Sequence, residues 1–248
     1  MVCRPGTALA AVGVIGAAIV LALVGLARTP APATGGEAAP LLGFRIRTWY
    51  RGLLAPLEAV LVGWRIHPDA ITSAQLATSV VAGAAFAAGW MFLAGWLTIL
   101  AGTLDILDGG VARRAGLAGA RGALVDSLVD RYAEFATFVG LGSYFRQSWV
   151  LLAVAIACFA SLMVSYTRAR AEGLGLEMQV GRAQRPERYV ILGFGAWISD
   201  LVEHLRCGIG SEPTHAVLAV AVVALAVISA WTAVERARHA VRALRVRR

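Results

Sequence analysis

Hydrophobic positions in this chain fall in long unbroken blocks, not in the alternation of strands or the narrow stripe of a soluble helix. Uncharged stretches run through about residues 7–27, 71–104, 149–167 and 216–234, and a helix needs roughly 20 apolar residues to cross a bilayer. The second block is long enough for two crossings and is interrupted at Ala88 and Gly89, which predicts two spans joined by a tight turn. Two further stretches are less uniform. Residues 122–145 carry their charges in the first half, and residues 189–202 are short and end near Asp200 and Glu203. Between 41 and 64, apolar residues alternate with Arg45, Arg47, Arg51 and Glu58, the pattern of an amphipathic helix lying in a membrane interface. The expected fold is all-α: a polytopic integral membrane protein with a six-helix transmembrane domain, an interfacial helix before it, and one extra N-terminal span. The expected division is residues 1–40, the extra span with a Pro/Ala/Gly linker, and residues 41–248, a single catalytic domain.

Composition agrees with the membrane reading. The chain is 58% hydrophobic with a mean hydropathy of +0.70, against about 45–50% apolar in a soluble domain. All 23 basic residues are arginine. If the span starting at Ile71 enters from the cytoplasm, Arg146 and Arg206 fall in outer loops and nearly all the others on the cytoplasmic side, as the positive-inside rule requires. The net charge of +8 is then explained by orientation and by attraction to anionic membrane lipids, with no nucleic-acid role. Cys3, Cys158 and Cys207 have neither metal-ligand nor redox spacing, and the odd count argues against a disulfide framework. His67, His204, His215 and His239 are scattered and read as interfacial or incidental. For residues 1–40 three readings stay open: an uncleaved anchor, a cleaved signal peptide, or an over-extended gene start. The anchor fits the arginine distribution best, because cleavage would put Arg45, Arg47 and Arg51 outside.

The chemistry is concentrated between residues 105 and 130. Asp105 and Asp108 are three apart, and Asp126 and Asp130 are four apart, so on helices each pair shares one face. A carboxylate at the centre of a bilayer costs about 2.5–3.5 kcal/mol, and four unpaired ones would cost about 10–14 kcal/mol. A structural hairpin has no use for such a set, and something positive must lie between the carboxylates.

Asp105, Asp108, Gly109, Ala112, Arg113, Gly122, Asp126 and Asp130, in that order and spacing, resemble the signature of the CDP-alcohol phosphotransferase family, and the likeness extends through most of residues 60–240. The resemblance implies transfer of a phosphatidyl group from CDP-diacylglycerol to an alcohol with release of CMP, at a site facing the cytoplasm, in a multi-pass cell-membrane protein that is usually a homodimer. It implies Asp105, Asp108 and Asp126 as metal ligands, and Asp130 as general base, also touching the second metal. Four carboxylates balance two divalent cations, and oxygen-only ligation suits Mg²⁺ or Mn²⁺ over Zn²⁺. Two such ions favour in-line displacement at phosphorus. Gly109, Gly122 and the small Ala112 would let the CDP group approach the backbone, while Arg113 offers a planar fork to phosphate. Pro68 and Thr72 match a Pro-Asn-x-x-Thr start of the first span, here with Asp69 in the Asn place. Thr72 would then touch the nucleotide, a helix-start role being equally open.

Residues 165–175 (SYTRARAEGLG) and 181–189 (GRAQRPERY) resemble the subgroup that makes phosphatidylinositol phosphate or its archaeal ether counterpart. The likeness implies that Arg168, Arg188 and Arg236 bind the phosphate of a soluble phosphorylated alcohol, inositol 1-phosphate being preferred, with Pro186 shaping the loop beside Arg185. Glycerol 3-phosphate is the near alternative, as in a phosphatidylglycerophosphate synthase. Serine or phosphatidylglycerol is a weaker acceptor candidate, since neither needs an arginine-rich phosphate pocket. An ion-coupled transporter would also place aspartates in a membrane, but it predicts inverted repeats or broken spans that this sequence lacks.

Overall fold

The computed structural model describes residue 13 and residues 43–176, 178, 184–206 and 214–246. The predicted span at 7–27, Cys3, Cys207 and Arg182 lie outside the described residues. Among those described there are seven long helices and no strand. In chain order they are α1 (Gly43–Gly63), α2 (Pro68–Ala87), α3 (Met91–Arg114), α4 (Ala120–Tyr144), α5 (Val150–Glu172), α6 (Arg185–Arg206) and α7 (Ala216–Val246). Four of them, α2, α3, α5 and α7, are long and apolar enough to cross a membrane. The other two of the predicted spans, α4 and α6, are as long but carry the charges that matter: Asp126, Asp130 and Glu134 on one, Arg185, Glu187 and Arg188 on the other. A hydropathy criterion therefore passes over the helices that the chemistry needs most.

Glycine turns set the geometry. At the end of α2, Gly89 (φ +77°) lets Trp90 N donate back to Ala85 O and its own N–H to Phe86 O. At the end of α3, Gly116 (φ +69°) does the same, Leu117 N reaching Ala112 O at 2.9 Å and Gly116 N reaching Arg113 O at 3.3 Å. Both are Schellman closures, which need a left-handed residue just past the helix. The second returns the chain within five residues, so α4 runs back beside the Asp-bearing end of α3. Pro186, expected in a loop, instead lies in the first turn of α6. Its missing N–H is no loss there, since the first-turn donors have no partner within the helix.

The apolar core occupies the half of the bundle away from the aspartates. Phe86, Met91, Leu141, Phe145, Val150, Leu192, Leu218, Val222 and Leu225 fill it. A smaller cluster of Leu54, Ile71, Leu107 and Val111 fastens α1 across α2 and α3, and Arg114 Nε bonds Glu58 Oε2 of α1 at 2.6 Å. Helices α2 and α4 touch backbone to backbone. A Cβ on Gly140 would collide with the carbonyl of Gly83, and one on Gly83 with the carbonyl of Ala136. Small residues permit such approach where lipid supplies no hydrophobic drive between helices. Thr72 and Gln75, further back on α2, are thereby pressed toward the carboxylates of α3 and α4.

Candidate active site

Asp105 and Asp108 lie in the last turns of α3, and Asp126 and Asp130 lie in the first half of α4. Carboxylate oxygens of Asp105, Asp126 and Asp130 lie within 4.8 Å of one another. Asp108 stands beside this triad and is held separately: its Oδ2 accepts from Thr72 Oγ1 at 2.7 Å and its Oδ1 from the N–H of Gly109 at 2.5 Å. Thr72 Oγ1 also reaches Pro68 O at 3.1 Å, and His67 Nδ1 accepts from Asp69 N at 3.2 Å in the N-cap place. Thr72 thus has a helix-start contact and a site contact at once.

Asp130 is buried, with Oδ1 accepting from Gln75 Nε2 at 2.9 Å and Oδ2 from Arg185. The same Gln75 Nε2 lies 3.3 Å from Asp105 Oδ1, and Arg185 Nη1 lies 3.8 Å from that oxygen. Asp126 Oδ1 is buried with no hydrogen-bond partner. Three mutually close carboxylates, one of them with an unanswered buried oxygen, suit a hard divalent cation, and the donor set is oxygen alone. Near the α3 end, the Arg113 guanidinium lies over Gly109, where a Cβ would meet its Nη1 at 3.2 Å. A Cβ on Gly122 would meet nothing within 4 Å, so that side of the α4 start is open space. Ala112 is half-buried between them.

The three arginines marked for an acceptor phosphate lie in one neighbourhood, Arg236 being within electrostatic range of both Arg168 and Arg188. Their settings differ. Arg188 is buried and forms an ion pair with Glu134: Nη2 donates to Oε2 at 3.1 Å, and Nε lies 2.5 Å from Oε1. Arg236, also buried, donates to Val164 O at 2.9 Å. Arg168 is exposed and pairs with Glu172 one turn on, at 2.8 Å. Sequence reasoning missed Gln75 and Glu134 and gave Arg185 no contact with the aspartates. A signal existed for two of them. Thr72, Gln75 and Ser79 form a polar stripe at i, i+3, i+7 in an otherwise apolar span, and Glu134 is one turn beyond Asp130.

Comparison with known proteins decides the family. The model of the CDP-alcohol phosphatidyltransferase family matches residues 65–236. The chain belongs to that family. It is an all-helical membrane transferase of the CDP-alcohol class. Phosphatidylinositol phosphate synthase of Mycobacteroides abscessus is 34% identical to it over 206 residues, which cover 81% of this chain and 88% of that protein. The crystal structure of the Mycobacterium tuberculosis phosphatidylinositol phosphate synthase with CDP-DAG bound matches at a TM-score of 0.64 and 30% identity, over 75% of this chain and 92% of the other. The same enzyme in complex with manganese and citrate matches at 0.64 and 30%, over 75% and 88%. All four aspartates and Arg113 of this phosphatidyltransferase, as well as Arg168, Arg188 and Arg236, lie inside the matched region.

Proposed function

We propose that this transferase moves a phosphatidyl group from CDP-diacylglycerol to inositol 1-phosphate and releases CMP, using Asp105, Asp108, Asp126 and Asp130 with two Mg²⁺ or Mn²⁺ ions. The convergence of Asp105, Asp126 and Asp130 carries the reading. The relatives named as phosphatidylinositol phosphate synthases, and the CDP-DAG and manganese in the solved ones, support the donor, the metal and the acceptor class.

The chain's own groups divide the work. Asp105, Asp108 and Asp126 would hold the ions, whose charge would neutralise the phosphate oxygens and the leaving group. Arg113, lying over Gly109, and the open backbone at Gly122 seat the donor's diphosphate, with Ala112 and Thr72 beside it. Arg168, Arg188 and Arg236 hold the acceptor's phosphate so that its ring hydroxyl faces the donor phosphorus. Asp130 takes the hydroxyl proton as the oxygen–phosphorus bond forms and the bond from that phosphorus to CMP breaks. Gln75 and Arg185 fix the plane of the Asp130 carboxylate, leaving its position determined before the acceptor arrives. Helices α2 to α7 form the six-span catalytic bundle of a domain covering residues 41–248, with the site open to the cytoplasm and α1 in the interface. The arginine distribution supports this orientation. The protein works in the cell membrane as a homodimer, with residues 1–40 as an added anchor.

The test is CMP release by the purified protein in lipid, with CDP-diacylglycerol, Mg²⁺ and a panel of acceptors. Inositol 1-phosphate should be turned over well ahead of glycerol 3-phosphate, free inositol and serine. Equal use of free inositol would refute the phosphate pocket, and no release with any acceptor would refute the transferase reading.

A further inference from the structure

Gln75 belongs to no part of the signature, yet it is the one side chain among the described residues that bonds two of the four aspartates through a neutral group. Its amide nitrogen has two N–H groups, and two carboxylates lie within reach: Asp130 Oδ1 at 2.9 Å and Asp105 Oδ1 at 3.3 Å. The orientation follows from chemistry, because ionised carboxylates only accept and a flipped amide would set its oxygen against both. Its side chain lies beside Tyr189 of α6 and is fully buried. Gln75 therefore has almost no rotamer freedom. The backbone contact of Gly83 with Gly140 and Ala136, two turns along α2, sets its reach to α4.

A charged donor such as Arg185 draws the carboxylates together by cancelling charge that a cation needs. An amide draws them together and leaves the charge in place. We propose that Gln75 is a positioning residue: it fixes Asp105 on α3 and Asp130 on α4 at the spacing that cation binding and proton transfer require. The proposal rests on the metal role given above to the aspartates. It concerns a residue that touches neither substrate, and its effect should fall on metal affinity and turnover, not on substrate binding.

Gln75→Met keeps length and volume and removes the donor. In purified protein, the Mn²⁺ dissociation constant, read from loss of the free-ion EPR signal without substrates, should rise about 10- to 100-fold, as when an outer-shell partner is lost. At saturating metal, kcat should fall by about tenfold or more while the KM values for donor and acceptor stay within about threefold. Gln75→Asn keeps the amide but withdraws it by about 1.5 Å. It should move the same quantities in the same direction by less, and serves if the Met protein does not fold. A purely structural role would lower thermal stability and leave Mn²⁺ affinity and kcat per folded molecule unchanged. Such a result in either variant overturns the proposal while leaving the metal site intact. Absence of Mn²⁺ binding by the parent protein would instead sink the aspartate assignment, and this inference with it.

Discussion

The bundle buries a charged cluster at each end, and the two are built differently. At the outer end, the one farther from the four aspartates, Asp200, Glu203, His204 and His215 lie near the close of α6 and the start of α7. Most of their polar atoms are answered, although Asp200 Oδ2 is buried and accepts no hydrogen bond. Glu203 Oε1 accepts from the N–H groups of Thr214 at 3.2 Å and His215 at 2.9 Å, capping the start of α7. His204 Nδ1 bonds Asp200 O at 2.8 Å and lies 3.3 Å from Asp200 Oδ2, and His215 Nδ1 meets Ser199 Oγ at 3.1 Å. Two acids face two histidines and a helix N-terminus, so polarity there is used to close the structure. At the inner end, among the described residues, four aspartates meet one directly bonded guanidinium, Arg185, with Arg113 and Arg131 near enough to act through charge. Acids gathered beyond what their partners balance are costly to assemble, and the excess marks the end that awaits a cation. Burial of charge alone does not separate function from architecture; its imbalance does.

The largest effects should come from the unbalanced end. Asp130→Asn keeps the shape, but it cannot take a proton and can accept from only one of the two donors, Gln75 and Arg185, so CMP release should fall by about 10²–10⁴-fold with donor binding retained. Asp105→Asn and Asp126→Asn should abolish turnover and weaken Mn²⁺ binding by more than the roughly 10- to 100-fold expected for an outer-shell change. The matching change at the outer end, Asp200→Asn, should leave kcat and Mn²⁺ affinity within about threefold of the parent. Comparable losses from Asp200→Asn would erase the distinction between the ends.

Next in size is the buried pair of Arg188 and Glu134. Arg188→Ala should raise the acceptor KM about 10- to 100-fold, from loss of charge-assisted bonds worth about 1.5–3 kcal/mol. The single change also strands Glu134 without its partner, which costs stability of its own. Glu134→Gln combined with Arg188→Ala removes that stranded charge. The double variant should regain thermal stability while keeping the raised acceptor KM and an unchanged donor KM. A normal KM in the stable double variant would assign Arg188 to architecture, like the residues of the outer cluster.

What the sequence made legible follows the same division. Local signals carried far. Gly89 and Gly116 stand where the turns close, and the helical spacing of Asp126 and Asp130 does put both on the side that meets α3. The three arginines, more than 60 residues apart at the extremes, do lie near one another. Partner choice was not legible, because it depends on which helices pack. Nothing local says that Gln75 reaches α4 rather than lipid; the contact of Gly83 with Gly140 decides that. Nor does spacing reveal that Arg188 is clamped by Glu134, since the two are 54 positions apart. Hydropathy does not single out α4 and α6 for a physical reason: a helix lined with charge on one face averages as too polar to be read as a crossing.

A smaller effect belongs to the cap at the outer end. Glu203→Gln keeps an acceptor but loses the charge that favours a helix N-terminus, so stability should fall by about 0.5–1 kcal/mol. With roughly 2–4 °C per kcal/mol for a chain of this size, the thermal midpoint should drop by about 1–4 °C. CMP release at 25 °C should not change, and a change in kcat would show that the two ends are coupled.

The smallest effect tests whether an arginine's present partner says anything about its work. Arg168 and Glu172 are 57% and 47% exposed at the side chain, and an exposed i,i+4 pair is worth about 0.3–0.5 kcal/mol. Glu172→Gln should therefore leave the thermal midpoint within about 2 °C of the parent and the acceptor KM within about twofold. Arg168→Ala breaks the same surface pair and should be as mild in stability. It should nevertheless raise the acceptor KM about tenfold if its guanidinium turns from Glu172 to the acceptor's phosphate. The contrast between the two variants is the informative quantity, because both remove one ion pair and only one removes the phosphate ligand. Equal, near-parental KM values would confine the phosphate site to Arg188 and Arg236, the two buried arginines, and leave Arg168 a solvated surface residue.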